Sequence, residues 1–151
     1  MIKIIAVGKK HESWVLPGLK RYLERLQGPW RVEWVFLPHS TKQGQEARLN
    51  ESEAILKRLN DTDFVILLDE RGVLLTSPTL SQQIESQLNH SRPVVLVIGG
   101  AYGVDDRVRQ RAQVVWSLSP LVFPHQLVRL LCIEQLYRAQ SIARGSAYHH
   151  E

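Results

Sequence analysis

The chain has 151 residues, of which 44% are hydrophobic, and a domain of this size can bury a core without disulfides or a structural metal. Its single cysteine, Cys132, excludes an internal disulfide framework, and no paired Cys/His spacing predicts a metal site. No apolar run approaches the roughly 20 residues of a membrane span, and the N-terminus does not resemble a signal peptide. We therefore expect a soluble, cytoplasmic protein that binds neither a membrane nor a metal.

The net charge of +4 is unevenly distributed along the sequence. Residues 1–31 contain seven Lys/Arg and two acids, residues 44–91 contain four and eight, and residues 92–151 contain seven and four. Two basic ends around an acidic middle would suit a polyanion bound across both ends. Ordinary solvated helix faces explain the same charges equally well.

The hydrophobic pattern predicts strands and helices in strict alternation. In chain order these are a strand over Ile2–Val7, a helix from Ser13 to Gly28, a strand over Val32–Leu37, a helix over residues 46–59, a strand over 64–68, a helix starting at Ser77, a strand over 93–98, a helix over 105–112, a strand over 114–118 and a helix over 126–143. Such alternation is typical of one α/β domain, residues 1–151, with a mostly parallel sheet and helices on both faces.

Individual residues refine these elements. Ser13 and Ser77 are expected to cap the first and third helices, with Pro17 in the first turn of the former. Residues 69–72, Asp-Glu-Arg-Gly, predict a turn away from the third strand. The three-to-four-residue spacing places Leu16 and Leu49 on the buried faces of the first two helices.

The last helix is apolar around almost its whole circumference, with Cys132 as one of its core residues. A surface helix of a small domain should bury one stripe only. We therefore expect this helix to pack on the sheet with one face and on a second copy of the chain with the other, which predicts a two-fold homodimer. The alternative is a helix enclosed entirely within its own chain.

Two segments that follow strands are candidates for binding a ligand. Residues 99–103, Gly-Gly-Ala-Tyr-Gly, lie where open parallel sheets bind ligands, and glycines let a backbone approach closely. Residues 117–125 contain two serines and two prolines, whose rigid backbone edges suit a purine. Neither segment matches a dinucleotide fingerprint or a P-loop, and a plain turn explains the glycines too. His125, which ends the second segment, is either a helix cap or a functional imidazole.

Charged and ring-bearing residues gather at the end of the chain. Glu134 and Arg138 lie four residues apart on one face of the last helix and are expected to pair while partly buried. The tail after Gly145 contains Tyr148, His149 and His150. Chain ends are commonly disordered, but tyrosine and histidine are unusual choices for a solvated end.

These segments resemble a known family along nearly the whole chain. The matching motifs are the start Ile-Lys-Ile-Ile-Ala-Val-Gly-Lys, Ile-Gly-Gly-x-x-Gly, Trp-Ser-Leu-Ser, the block over residues 123–139 and the final Ala-Tyr-His-His-Glu. With these motifs the chain resembles the ribosomal RNA large-subunit methyltransferase H family, which belongs to the SPOUT class of methyltransferases.

The resemblance implies a C-terminal trefoil knot, a homodimer, and transfer of a methyl group from S-adenosylmethionine to N3 of a pseudouridine in large-subunit (23S) ribosomal RNA on the assembled ribosome. Periodicity alone would predict an unknotted, doubly wound sheet, because knots are rare. The residues that the resemblance assigns to the methyl donor are Leu68, Gly99, Leu118, Ser119, Pro120, Leu121, Val122 and Phe123. Ala101 and Tyr102 fall at variable positions of the glycine turn and receive no role.

The chemistry of the implied reaction suggests roles for further residues. N3 of a uracil-type ring must lose its proton before it attacks, which calls for a general base or a cation that stabilises the ring anion. We expect His149 or His125 as the base, Arg138 as the cation and Tyr148 as a stacking partner. The basic residues expected to hold rRNA phosphates are Lys9, Lys10, Lys20, Arg21 and Arg25.

Two other classes of function compete with this interpretation. One is a non-catalytic ribosome- or rRNA-binding factor that keeps the same fold. The other is a nucleotide- or phosphate-binding enzyme of ordinary doubly wound type, which the missing phosphate fingerprints disfavour.

Overall fold

Five parallel strands form the sheet in the computed structural model, which describes residues 1–8 and 10–150. The strands are β1 (Ile2–Val7), β2 (Val32–Leu37), β3 (Phe64–Leu74), β4 (Val94–Ile98) and β5 (Val114–Ser117). The helices are α1 (Leu16–Leu23), α2 (Gly44–Lys57), α3 (Ser77–Asn89), α4 (Asp106–Arg111) and α5 (His125–Ala143), with a short 3-10 turn over Gly28–Trp30. The strand order is β2-β1-β4-β3-β5 and all four neighbouring pairs are parallel, which confirms the predicted α/β class.

The two faces of the sheet carry separate hydrophobic cores. Ile4 and its neighbours on β3 and β4 pack with α1, α3 and α5, whereas Ile5 and its neighbours pack with α2 and α4. Alternate residues of a strand point to opposite faces, so strands covered on both sides need the uninterrupted apolar runs seen in the sequence. Cys132 lies fully buried in the first core, where burial raises the pKa of its thiol to about 12, and this confirms it as a core residue.

Helix α5 lies beside α1 and α3 on one face of the sheet. The backbone N–H of Glu12 donates to Gln126 near the start of α5 (2.8 Å), and that of Gln27 donates to Gln140 near its end (2.7 Å). Helices α1 and α5 therefore run in the same direction. Leu131 is only partly buried in the single chain.

The predicted serine caps are wrong for two helices. Helix α1 follows Val15 without a side-chain cap, so Ser13 has no capping role, although Pro17 does lie in the first turn as predicted. Helix α3 is capped by Thr76, whose hydroxyl accepts from the backbone of the first turn. Ser77 instead donates to a side chain of α5. At the start of α3 the adjacent Thr76 and Ser77 are equally good caps by composition, and their backbone conformations decide between them. The N-cap position of α1 is Val15, whose side chain cannot accept a hydrogen bond.

Strand β3 is longer than predicted, since it continues through residues 69–72 to Leu74. Both Leu68 and Val73 pair with Trp116 on β5, so the four residues between them form an irregularity in the pairing instead of a terminating turn. A Cβ at Gly72 would collide with the Val115 carbonyl, and glycine is therefore required where the chain rejoins β5.

Two predicted core positions are on the surface. Leu16 is 47% exposed and Leu49 is 50% exposed. Helix α2 instead turns Glu51 and Ser52 toward the interior together with Ile55. The spacing of apolar residues mispredicted the buried face of α2 because these two polar residues occupy part of it.

Within residues 1–8 and 10–150, no helix is both long and apolar enough to cross a lipid bilayer. The same residues contain no group of three or more His, Cys, Asp or Glu side chains placed to hold a metal ion.

Candidate active site

A cavity of about 540 Å³ lies at the carboxyl-terminal edge of the sheet, where β4 and β5 end and where the pairing of β3 becomes irregular. Seven of the eight residues that the family resemblance assigns to the methyl donor line it: Leu68, Gly99, Leu118, Ser119, Leu121, Val122 and Phe123. Pro120 is not among the lining residues. Three separate segments thus meet at one site, as expected for ligand sites of parallel sheets.

The glycine turn after β4 presents its backbone to this cavity. The N–H of Gly103 donates to the carbonyl of Gly100 (3.0 Å), and Gly103 has a left-handed φ of +72° that favours glycine. Arg48, reaching over from α2, donates to the carbonyl of Tyr102 (2.9 Å). The turn is therefore held from both sides. Arg48 and Tyr102 also line the cavity, although no sequence prediction gave either one a role.

Residues 117–124, which we call the Ser/Pro loop, are fixed by their own hydroxyl groups. Ser117 donates to the carbonyl of Ser119 (2.9 Å), and the Ser119 hydroxyl accepts from the N–H of Leu121 (3.1 Å). Leu121 and Val122 are 69% and 79% exposed. The loop thus offers both apolar side chains and held backbone groups, a combination that suits a flat heterocycle.

The irregularity of β3 supplies a charged wall. Asp69 is nearly buried and accepts from Arg109 of α4 (2.6 Å) and from the backbone of Arg71 (2.9 Å). These donors satisfy the Asp69 carboxylate. The neighbouring Glu70 is exposed on the same wall, where its carboxylate can accept from ligand hydroxyl or amine groups.

The predicted catalytic residues Arg138, Tyr148 and His149, which we call the tail groups, lie together near the end of α5. Arg138 pairs with Glu134 (2.6 Å), lies 4.9 Å from the ring centre of Tyr148 and donates to Nδ1 of His149 (3.2 Å). The Tyr148 hydroxyl donates to Glu134 (3.2 Å). Burial, a hydrogen bond with Tyr22 and the Glu134 charge all raise the pKa of Tyr148, and the Glu134 hydrogen bond raises that of Arg138.

The contact with Arg138 determines the tautomer of His149. A guanidinium group can only donate, so Nδ1 of His149 must accept and the ring proton must lie on Nε2. In this arrangement His149 offers an N–H donor to its surroundings. A proton acceptor would need a free ring nitrogen, which Nδ1 does not provide here.

The structure does not bring the tail and the cavity together within one chain. Val128 lines the cavity at the start of α5, and Arg138 follows ten residues later, about 15 Å farther along the helix at 1.5 Å per residue. His125 does line the cavity, as the first residue of α5 rather than as its cap.

Three of the predicted RNA-binding residues lie on α1 or just after it, and Lys9 lies outside the described residues. Lys10, Lys20, Arg21 and Arg25 are all exposed. Lys20 is 3.7 Å from Glu24, and Arg25 lies 5.9 Å from the ring centre of Tyr137. Since α1 and α5 run in the same direction, Lys20, Arg21 and Arg25 lie on the side of the tail, whereas Lys10 lies near the start of α5.

A second group of polar residues adjoins the cavity, and sequence reasoning missed all of it except His125. This Glu51–Arg129 cluster consists of His11, His39, Glu51, His125 and Arg129. Burial and then the charge of Arg129 lower the pKa of His11 to about 4. One signal was visible in the sequence, because Arg129 interrupts the apolar run Leu-Val-Arg-Leu-Leu and is only 1% exposed in the structure.

Comparisons with known proteins identify the family. Residues 1–149 match a family model described as "Predicted SPOUT methyltransferase". The chain is 40% identical over 154 residues to a Hahella chejuensis protein named Ribosomal RNA large subunit methyltransferase H, covering 99% of both chains. It is 40% identical over 156 residues to a protein of the same name from Desulfitobacterium hafniense, covering 98% of both.

A solved structure supports the fold. It is described as a probable methylase family protein from Haemophilus influenzae, and the match covers 99% of this chain and 70% of that one with a TM-score of 0.58 and 12% identity. The full-length family match and the relatives at 40% identity decide the assignment. The chain belongs to the SPOUT methyltransferase family, and it is a methyltransferase.

Proposed function

We propose that this protein transfers a methyl group from S-adenosylmethionine to N3 of a pseudouridine in large-subunit ribosomal RNA, on the assembled ribosome. The observation that carries the proposal is the full-length similarity, at 40% identity, to proteins named Ribosomal RNA large subunit methyltransferase H. Because ribosomes are cytoplasmic, we place the protein in the cytoplasm. The knot that the resemblance implies is part of the same proposal.

The cavity at the sheet edge fits the methyl donor. Its volume of about 540 Å³ lies within the range of small-molecule sites, roughly 300–1,000 Å³. Leu121 and Val122 can cover a purine, held backbone groups of the Ser/Pro loop can bond its edge, and Glu70 can accept from hydroxyl or amine groups. When bound, the donor supplies a sulfonium methyl carbon that a nucleophile can attack in line. The chain positions that carbon, which accounts for much of the acceleration.

A second copy of the chain would bring the tail to the cavity. The tail groups lie about 15 Å along α5 from Val128, so they cannot serve the cavity of their own chain without unfolding from the helix. We propose a two-fold homodimer through the partly exposed side of α5, in which the tail of one copy faces the cavity of the other.

The tail groups would hold the acceptor ring in that arrangement. Arg138 is positioned to stabilise negative charge on a ring that has lost its proton, and Tyr148 to stack on it. His149, protonated on Nε2, would donate to a ring oxygen. The basic residues of this interface with rRNA are Lys9, Lys10, Lys20, Arg21 and Arg25.

Labelled S-adenosylmethionine and purified ribosomes test the proposal. We expect label in the large-subunit RNA of assembled ribosomes and much less in deproteinised RNA. Binding of ribosomes without any transfer would support the alternative, a non-catalytic ribosome-binding factor. Transfer to protein or small molecules alone would exclude rRNA as the substrate.

A further inference from the structure

His125 belongs to the Glu51–Arg129 cluster and is also one of the residues that line the donor cavity. As the first residue of α5 it directly follows the Ser/Pro loop. The charges that act on it come from Arg129 on its own helix, His39 after β2 and Glu51 on α2. It is thus the member of the cluster that a ligand in the cavity would meet.

Two glycines let the cluster press against the ends of the central strands. A Cβ at Gly8 would lie 2.9 Å from Nη2 of Arg129 and 3.3 Å from Nε2 of His39. A Cβ at Gly100 would lie 2.5 Å from Oε1 of Glu51. The charged groups therefore occupy the space that side chains at positions 8 and 100, just after β1 and β4, would otherwise fill.

The cluster buries charge that its own contacts only partly satisfy. Glu51 accepts from the backbone N–H of Ser40 (2.8 Å), and Arg129 donates to the carbonyl of Lys10 (2.8 Å). Among the described residues, however, Oε1 of Glu51 and Nε of Arg129 lack a hydrogen-bond partner although both are buried. Unpaired buried polar groups are rare and destabilising, and they are retained mainly at functional sites.

We propose that His125 is the general base that removes the proton from the methyl-accepting ring nitrogen, and that Glu51, His39 and Arg129 are positioning residues for it. This inference rests on the proposed function and names the group that performs its proton transfer.

The surroundings keep His125 in the form that a base requires. Burial lowers its pKa, the charges of Arg129 and His39 lower it further, and Glu51 partly opposes them. The imidazole is therefore neutral at pH 7. The other charged groups that line the cavity are Arg48, Asp69, Glu70 and Arg71.

The transfer balances with His125 as acceptor. Its free ring nitrogen takes the N3 proton while the electron pair left on N3 forms the new N–C bond. The C–S bond of the sulfonium donor breaks with its electrons going to sulfur, so a neutral thioether leaves. The imidazolium then returns its proton to water. His149 is unsuited to this step, because Arg138 occupies its Nδ1 and its Nε2 is already protonated.

A His125→Gln variant tests the assignment, with His90→Gln as matched control. His90 is exposed at the end of α3, on the opposite side of the fold from the Ser/Pro loop. We expect His125→Gln to lower the single-turnover methylation rate at pH 7 by about 100-fold or more, the usual share of a general base. Donor affinity by calorimetry should stay within about threefold, and His90→Gln should match wild type.

The pH profile separates a base from a structural residue. Because the pKa of His125 is lowered from its ordinary value of 6.5, the wild-type methylation rate should fall only below that pH, where His125 becomes protonated. We call this fall the acid limb of the pH profile, and it should be absent in His125→Gln. Since Glu51 raises the pKa of His125, Glu51→Gln should move the limb to lower pH. Since the His39 charge lowers the pKa of His125, His39→Gln should move the acid limb to higher pH. His39 is exposed, so this variant provides the test if Glu51→Gln does not fold.

The outcomes distinguish the two proposals. If His125→Gln methylates at a rate within threefold of an active wild-type protein, the role of His125 is overturned and the proposed function stands. The same holds if none of these variants shifts the pH at which the rate falls in acid. An inactive wild-type protein would overturn the proposed function and this inference with it.

Discussion

Arg138 lies 2.6 Å from Glu134 one turn earlier on α5, and its guanidinium also contacts the rings of Tyr148 and His149. One ion pair on the helix therefore orders the end of the chain. The partly buried pair that the sequence predicts is confirmed by this geometry. After binding Glu134 the Arg138 guanidinium still has free N–H donors, and these allow it to contact the rings of the tail as well.

Replacing Arg138 should affect the acceptor side of the reaction and leave the donor side intact. We expect Arg138→Gln to lower methylation by roughly 100-fold, the loss typical of removing one group that stabilises developing negative charge. Its distance from the cavity should leave donor affinity unchanged in calorimetry. The control is Arg144→Gln, an exposed arginine at the end of α5 that bonds only a surface glutamine side chain in the described chain. Equal activity of both variants would contradict a role for the tail.

Gly103 and Gly44 form a matched pair of left-handed glycines. Their φ values are +72° and +59°, and a Cβ at either would meet nothing within 4 Å. Alanine at either position should therefore cost about 1 kcal/mol of the free energy of unfolding from backbone strain alone. Only Gly103 lines the cavity, so Gly103→Ala should weaken donor binding and Gly44→Ala should not. Denaturant titration and calorimetry check both halves, and equal donor affinity in the two variants would argue against this site.

Neutralising Lys20 and Arg21 should weaken ribosomal RNA binding without regard to sequence. The slope of log affinity against log salt should fall by about 0.7 for each phosphate of single-stranded RNA that the variant no longer neutralises. Lys57 and Arg58 are exposed at the opposite face, at the end of α2, and their double Gln variant is the control. An unchanged slope for the α1 variant, measured by filter binding across salt concentrations, would remove α1 from the RNA interface.

The proposed dimer depends on the open side of α5. Leu131 is only partly buried there, and Leu131→Asp should convert a dimer into a monomer in light scattering. Leu49→Asp changes a half-exposed leucine on α2 and should leave the dimer intact. A wild-type chain that scatters as a monomer would refute the shared site. So would a dimer that Leu131→Asp leaves unchanged.

The central strands could be predicted from sequence because they are buried on both faces. Apolar runs locate β1 correctly and β4 to within one residue, since a fully covered strand tolerates few polar residues. The extension of β3 was missed because its pairing with β5 resumes only after four residues, a tertiary event without a local signal. The expected serine caps of α1 and α3 were both wrong, because α1 begins after Val15, which has no capping side chain, and α3 is capped by the neighbouring Thr76.

The two loops of the candidate site could be predicted from the sequence, but the buried charged residues beside them could not. The glycines after β4 and the prolines after β5 indicate two loops in the sequence, because both residue types favour turns and loops. Glu51 resembles a solvated residue of α2 in sequence, and only packing shows that it faces the interior. The sequence predicted a second copy packed on α5, but it did not show that the length of α5 separates the tail from the cavity of its own chain.

The most direct measurement is the identity of the methylated nucleoside. Ribosomes lacking the modification would be incubated with the protein and S-adenosylmethionine, and the large-subunit RNA digested and analysed by mass spectrometry. The account predicts one N3-methylpseudouridine per ribosome, absent when Gly103→Ala or His125→Gln replaces wild type at limiting time. A methyl group on another atom, on another nucleoside or on no RNA at all would contradict it.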